Sequence, residues 1–361
     1  MTDSPAPPHG LSPDYVTARA AFLEAAEAAG GTVVRHVHPR TGLHGEELTL
    51  DVATFGPADA ARRVLVVSGT HGVEGYCGSA LQTGWLRTMA DRRPDDVRVV
   101  LLHALNPFGF SWVRRVNEDN IDLNRNFIDW AEPPPANPGY ADLADLIVPE
   151  RFDEAEQART VEALMIKTME LGMEQSQQII SGGQYDHPTG VFYGGAAAAW
   201  SNGLLEQVWA EELQGAEEIR VLDLHTGLGP RGFGELICHD RVDSPGYRRA
   251  TALWGEVRSM SDGESVSAAL SGDWLSRAEA WGGDADVTAV AIEYGTVDTT
   301  TVILALRADA WLHSHGDPTG DDSEAIRAQV RAAFIDDEPD WIDTCWEQFA
   351  RRMDAALTAD T

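Results

Sequence analysis

Residues 63–75 read R-V-L-V-V-S-G-T-H-G-V-E-G. The apolar run 63–68 has the makeup of a buried strand, and it breaks into a glycine-flanked turn that carries His71 and Glu74, three residues apart. An amphipathic helix is expected next, from Gly78 to about Arg92. Working outward, the same unit recurs. R-V-V-L-L-H at 98–103 precedes an N-P-F-G-F turn, and I-R-V-L-D-L-H at 219–225 runs into T-G-L-G. E-L-I-C-H at 235–239 and V-T-A-V-A-I-E-Y at 287–294 are further strands. Helical patterning covers 15–29, 153–179 and the stretch after about 300, while 130–150 is irregular and 181–190 reads as a glycine-rich loop. Apolar strands alternating with helices predict an α/β protein, with a mixed, largely parallel twisted sheet covered by helices on both faces. Ligands of such sheets bind at the carboxyl ends of strands, where His71, His225 and Glu293 all fall.

The 361 residues are 43% hydrophobic and 24% charged, ordinary for a globular chain. One catalytic domain spanning 1–361 is expected, with a flexible tail over about 1–12 and an insertion at about 130–215. The 58 acidic and 27 basic side chains leave a net charge of −31. Such a surface repels phosphate backbones and anionic lipids, so nucleic acid and membrane are not expected partners. Three scattered cysteines, Cys77, Cys238 and Cys345, argue against a disulfide framework and against a cysteine-built zinc site. With no basic start or apolar run at the N-terminus, and no stretch near the roughly 20 apolar residues of a membrane span, a cytoplasmic location is expected. A homo-oligomer is the base-rate expectation.

Imidazole and carboxylate suit zinc. The glycines of H-G-V-E-G, Gly72 and Gly75, would let the backbone fold so that His71 and Glu74 point one way. His225, at the end of a buried strand, is the best third ligand. Three protein ligands leave a fourth position for water, as in a catalytic site holding one Zn2+. The segment R-R-V-N-E-D-N-I-D-L-N-R-N-F, 114–127, packs three arginines and four asparagines into an acidic chain. It reads as a clamp for oxyanion and carboxylate, because the guanidinium fork matches both.

At these residues the chain resembles the zinc carboxypeptidase superfamily, which includes succinylglutamate desuccinylase and aspartoacylase. The matching pieces are H-G-V-E-G, R-V-N-E-D-N-I-D-L-N-R-N-F, L-H-T-G and I-E-Y-G-T, in the family's order over residues 71–296. The chain looks most like a bacterial branch catalogued as a domain of unknown function. The resemblance implies a carboxypeptidase-like α/β/α sandwich. It implies that His71, Glu74 and His225 hold the zinc ion, and that Asp122 orients His71. It assigns Arg115 to the oxyanion, Asn124 and Arg125 to the substrate's terminal carboxylate, and Glu293 to proton transfer. A mobile tyrosine used by many carboxypeptidases of the family has no matching motif; Tyr185, Tyr193 and Tyr294 are candidates.

The expected activity is metallopeptidase-like hydrolysis of an amide in a small peptide with a free carboxylate. The alternatives are deacylation of an N-acyl amino acid and a non-enzymatic carboxylate-binding module on the same fold. An esterase or a peptidoglycan-type amidase ranks lower. There is no P-loop ending and no G-x-S-x-G elbow. His313 and His315 read as surface histidines, His103 as a hydrogen-bonded core residue, and His187 as a loop residue able to approach substrate.

Overall fold

In a computed structural model the described residues are 9–263, 265 and 270–358. The expected tail therefore lies largely outside them. Eight strands form one sheet: β1 Thr32–Thr41, β2 Glu47–Phe55, β3 Arg62–Ser68, β4 Val97–His103, β5 Glu218–Arg231, β6 Gly234–Cys238, β7 Arg258–Ser259 and β8 Asp286–Gly295. Their order is β1-β2-β4-β3-β5-β8-β6-β7. The centre, β4-β3-β5-β8, is parallel, while β1, β2 and β6 join antiparallel. The fold class is thus the expected mixed, mostly parallel sheet.

Strand alternation divides the core into two layers. Val64, Val66, Leu222, Leu224, Val290 and Ile292 face one cluster, with Leu81 and Trp85 of helix Gly75–Thr88 and Phe349 and Met353 of helix Pro339–Thr358. Leu65, Val67, Ile219, Val221 and Val287 face the other, with Leu205, Val208 and Trp209 of helix Trp200–Glu212. Helices therefore cover both faces. Among the described residues, no helix is long and apolar enough to cross a membrane.

Three local expectations differ from the structure. The helix after His71 spans Gly75–Thr88, starting and ending earlier than read. N-P-F-G-F is a short helix, Pro107–Trp112, whose Asn106 side chain accepts from Gly109 N–H at 2.8 Å. Strands β1 and β2 had no counterpart in the reading. β1 is an edge strand with mostly exposed side chains and an irregular register between Val37 and Thr41, where Pro39 sits, so it lacks an apolar run to read.

Candidate metal centre

Register brings the site together. Ser68, the last residue of β3, pairs with Leu224 of β5, and His225 pairs with Glu293 of β8. The turn after β3 thus lies beside His225. The arginine-rich segment is tied on by its backbone: Gly72 N–H donates to Arg115 C=O at 3.1 Å and Val73 N–H to Arg114 C=O at 2.8 Å. Buried Arg114 pairs with Asp309 at 3.0 Å and so anchors that segment.

Gly72 and Gly75 are small for want of space rather than for special torsions. Gly75 is right-handed helical at φ −56°. A Cβ on Gly72 would lie 2.0 Å from the Gly109 carbonyl carbon, and one on Gly75 would lie 2.7 Å from the Phe110 ring. The turn is pressed against helix Pro107–Trp112, and that contact aims His71 and Glu74.

His71, Glu74 and His225 are each at least 96% buried and converge. The Nδ1 atoms of the two imidazoles are 3.2 Å apart. Glu74 Oε1 lies 2.9 Å from His71 Nδ1, and Glu74 Oε2 lies 2.9 Å from His225 Nδ1. Each ring places its Nε2 on a carboxylate: His71 on Asp122 at 3.2 Å, His225 on Asp223 at 2.7 Å. Such partners assign the ring proton to Nε2 and turn the Nδ1 lone pair inward. Two inward lone pairs and a carboxylate at these separations repel one another unless a metal ion, or a proton on His225 Nδ1, joins them. Nitrogen and oxygen donors in this number fit zinc, so the residues fit the metal.

Asp223 is the residue the sequence reading missed. It is fully buried and also accepts from Thr70 Oγ1 at 2.8 Å and Trp274 Nε1 at 2.7 Å. D-L-H on a strand was the available signal, because positions two apart share a face.

The charges are mutually dependent. Burial alone would raise Asp122, but the positive charges of Arg115 and Arg125 hold its carboxyl well below the usual range. Burial would lower His225, and Asp223 and Glu74 instead raise it well above the ordinary histidine value. Burial, with the nearby Glu74 charge, pushes Glu293 up to about 7. Glu293 Oε1 accepts from Leu228 N–H at 2.9 Å, which fixes the carboxylate at the mouth of β5.

A cavity of about 940 Å3, its open mouth included, is lined by His71, Arg115, Asn124, Arg125, His225 and Glu293 together. Arg115 donates to Glu74 Oε1 at 3.0 Å and to Asp122 Oδ2 at 3.1 Å, leaving Nη2 without a partner among the described residues. Arg125 spends two nitrogens on the carbonyls of Asn124 and Ser181, and both arginines lie over the Phe192 ring. Arg125 Nε and Asn124 Oδ1 are buried with no hydrogen-bond partner. Both residues line the cavity, and these two polar atoms are left unsatisfied behind its wall.

No tyrosine lines the cavity among the described residues. Tyr185 donates to Arg125 C=O at 2.6 Å instead. Helix Met173–Ser181, inside the expected insertion, contributes Gln177 and Ser181 to the wall. His103 is a core residue, 2.8 Å from Ser79 Oγ and stacked on Phe22. His187 packs on Tyr140 away from the cavity lining. His315 is exposed as expected, whereas His313 is partly buried against Trp112.

Comparison with protein families matches residues 11–348 to a family described as a protein of unknown function (DUF2817), and the chain belongs to that family. No curated protein matches the sequence. Similar solved structures include a carboxypeptidase A from Helicoverpa armigera, at 13% identity and a TM-score of 0.47, covering 90% of this chain and 74% of that one. An aspartoacylase family protein from Mesorhizobium loti has 12% identity and a TM-score of 0.38, with 85% and 68% covered. A metallo-carboxypeptidase from Pseudomonas aeruginosa has 17% identity and a TM-score of 0.38, with 92% and 68% covered.

Proposed function

We propose that this member of the DUF2817 family is a zinc-dependent hydrolase of an amide bond, carboxypeptidase-like, acting on a small peptide or related substrate with a free carboxylate. The observation that carries the reading is the convergence of His71, Glu74 and His225 at the wall of the cavity that His71, His225 and Glu293 line. A bound zinc ion supplies Lewis acidity and lowers the pKa of water to about 7.

The chain's own residues do the rest. Glu293 takes the proton from the attacking water as the C–O bond forms, and delivers it to the leaving nitrogen as the C–N bond breaks. Arg115 offers Nη2 to the oxyanion that develops on the carbonyl oxygen. Asn124 and Arg125 bind the free carboxylate. Asp122 and Asp223 hold the two imidazoles in the ligating tautomer.

The test is metal analysis of the purified protein, together with hydrolysis of short peptides and N-acyl amino acids with and without a chelator. One zinc per chain and chelator-sensitive cleavage are expected. Glu293→Gln should keep the zinc and lose about 100- to 10,000-fold in turnover. A protein without zinc, or a glutamine variant as fast as wild type, defeats the reading.

A further inference from the structure

The cavity extends past Glu293. β6 runs antiparallel to β8, with Glu235 opposite Glu293 and Ile237 opposite Ala291. Alternate residues of a strand share a face. Glu293, Ala291, Ile237 and, one step beyond β6, His239 therefore follow one another along one side of the sheet, and all four line the cavity. Four residues of strand at about 3.3 Å each put the level of His239 roughly 13 Å from Glu293. The wall between them is apolar, built by Ile237, Met260, Leu275 and Ala291. His239 is thus a polar end to an apolar sleeve.

A buried carboxylate stands behind that imidazole. Asp273 is 3% exposed, and its Oδ2 lies 3.0 Å from His239 Nδ1. Its Oδ1 accepts from Ser276 N–H at 3.0 Å, at the start of helix Leu275–Gly282. Asp273 Oδ2 and His239 Nδ1 are both shut off from solvent and make no hydrogen bond of good geometry, so what joins them is the charge contact at 3.0 Å. Nε2 is the ring atom left for a ligand, and it has no partner among the described residues. The pairing with Asp273, helped by the charge of nearby Asp240, raises the ring's proton affinity. Asp240 does not line the cavity and Asp273 Oδ2 is covered, so the group the sleeve presents is the imidazole; with Nδ1 on Asp273, Nε2 is a donor when the ring carries both protons, the form that the Asp273 charge favours.

We infer that His239 is a specificity-determining residue, held by Asp273, that binds an anionic group at the far end of the substrate. The substrate then carries a second negative charge besides the carboxylate bound near Asn124 and Arg125. This rests on the hydrolase reading above. A charge-assisted hydrogen bond of this kind is worth about 10- to 150-fold in discrimination.

The experiment uses zinc-loaded protein and matched peptides and N-acyl amino acids in which one side chain is Glu, Gln or Lys. Wild type should favour Glu over Gln at least about 10-fold in kcat/KM. The ratio should fall to about 1 in His239→Gln and recover in part in His239→Lys. Because it compares two substrates on one sample, the folded fraction cancels. Equal or greater activity on the Gln or Lys compounds in wild type, or a ratio that survives His239→Gln, overturns the inference. If no compound is cleaved, the hydrolase reading fails, and calorimetric binding to zinc-loaded Glu293→Gln protein decides this one. Tighter binding of the Glu compounds that is lost on adding His239→Gln supports it, and equal binding overturns it.

Discussion

At the scale of single residues, the site is a chain of dependencies. Arg115 touches Glu74 and Asp122 as well as the cavity, so its removal acts twice. Arg115→Ala should cost about 100- to 1000-fold in kcat with a smaller change in KM. Equal rates would show that the oxyanion is met elsewhere. Asp223 tests the positioning of His225 from the ring nitrogen that faces away from Glu74, although its removal also frees Thr70 Oγ1 and Trp274 Nε1. Asp223→Ala should weaken zinc binding about 10- to 100-fold, read by competition with a chelator of known affinity. Unchanged affinity would mean that the ring keeps its orientation without the carboxylate.

Elements hold the ligands through close backbone approach. Helix Gly75–Thr88 begins directly after Glu74 and lies on β3 with Gly78 at the contact, where a Cβ would come 2.6 Å from Ser68 Cβ and 3.6 Å from Leu224 Cβ. Gly78→Ala should therefore lift the helix and cost about 1–3 kcal/mol of stability, read from the denaturant midpoint. Glu74 moves with that helix, so zinc affinity should fall in the same variant. Gly203, exposed on helix Trp200–Glu212, has no atom within 4 Å of its virtual Cβ. Gly203→Ala should stabilise by about 0.4–1 kcal/mol, because helix propensity is then the only change. Similar losses in both variants would show that packing against β3 is not what requires a glycine at 78.

For the whole molecule, acid is one lever on stability and, on the proposed function, zinc is a second. His103 is fully buried, and its pKa is lowered to about 4 by burial. A histidine depressed in the fold contributes stability that is complete above its unfolded value of about 6.5 and is lost as pH falls towards 4. Between pH 7 and 4.5 the loss of stability should be smaller by about 2 kcal/mol in His103→Gln than in wild type, measured by urea unfolding at both pH values. Zinc should stabilise the fold by mass action, about 4 kcal/mol when its free concentration is 1000 times Kd, and a chelator should lower Tm reversibly.

Much of this was legible in the chain. Apolar runs at 63–68, 98–103, 219–225 and 287–294 specified central strands, since buried strands must be apolar on both faces. His71, Glu74 and His225 were legible as a candidate metal group only jointly, because H-x-x-E is weak in isolation and gains its weight from the other motifs in order over residues 71–296. The edge strand β1 was not, since it has no buried run. Nor was the reason for Gly72 and Gly75, the role of Asp223, or the place of His239 beside Asp273. Each depends on which backbone or side chain lies across the sheet or loop. That is set by register between segments up to 154 residues apart, as from His71 to His225, and no local pattern encodes it.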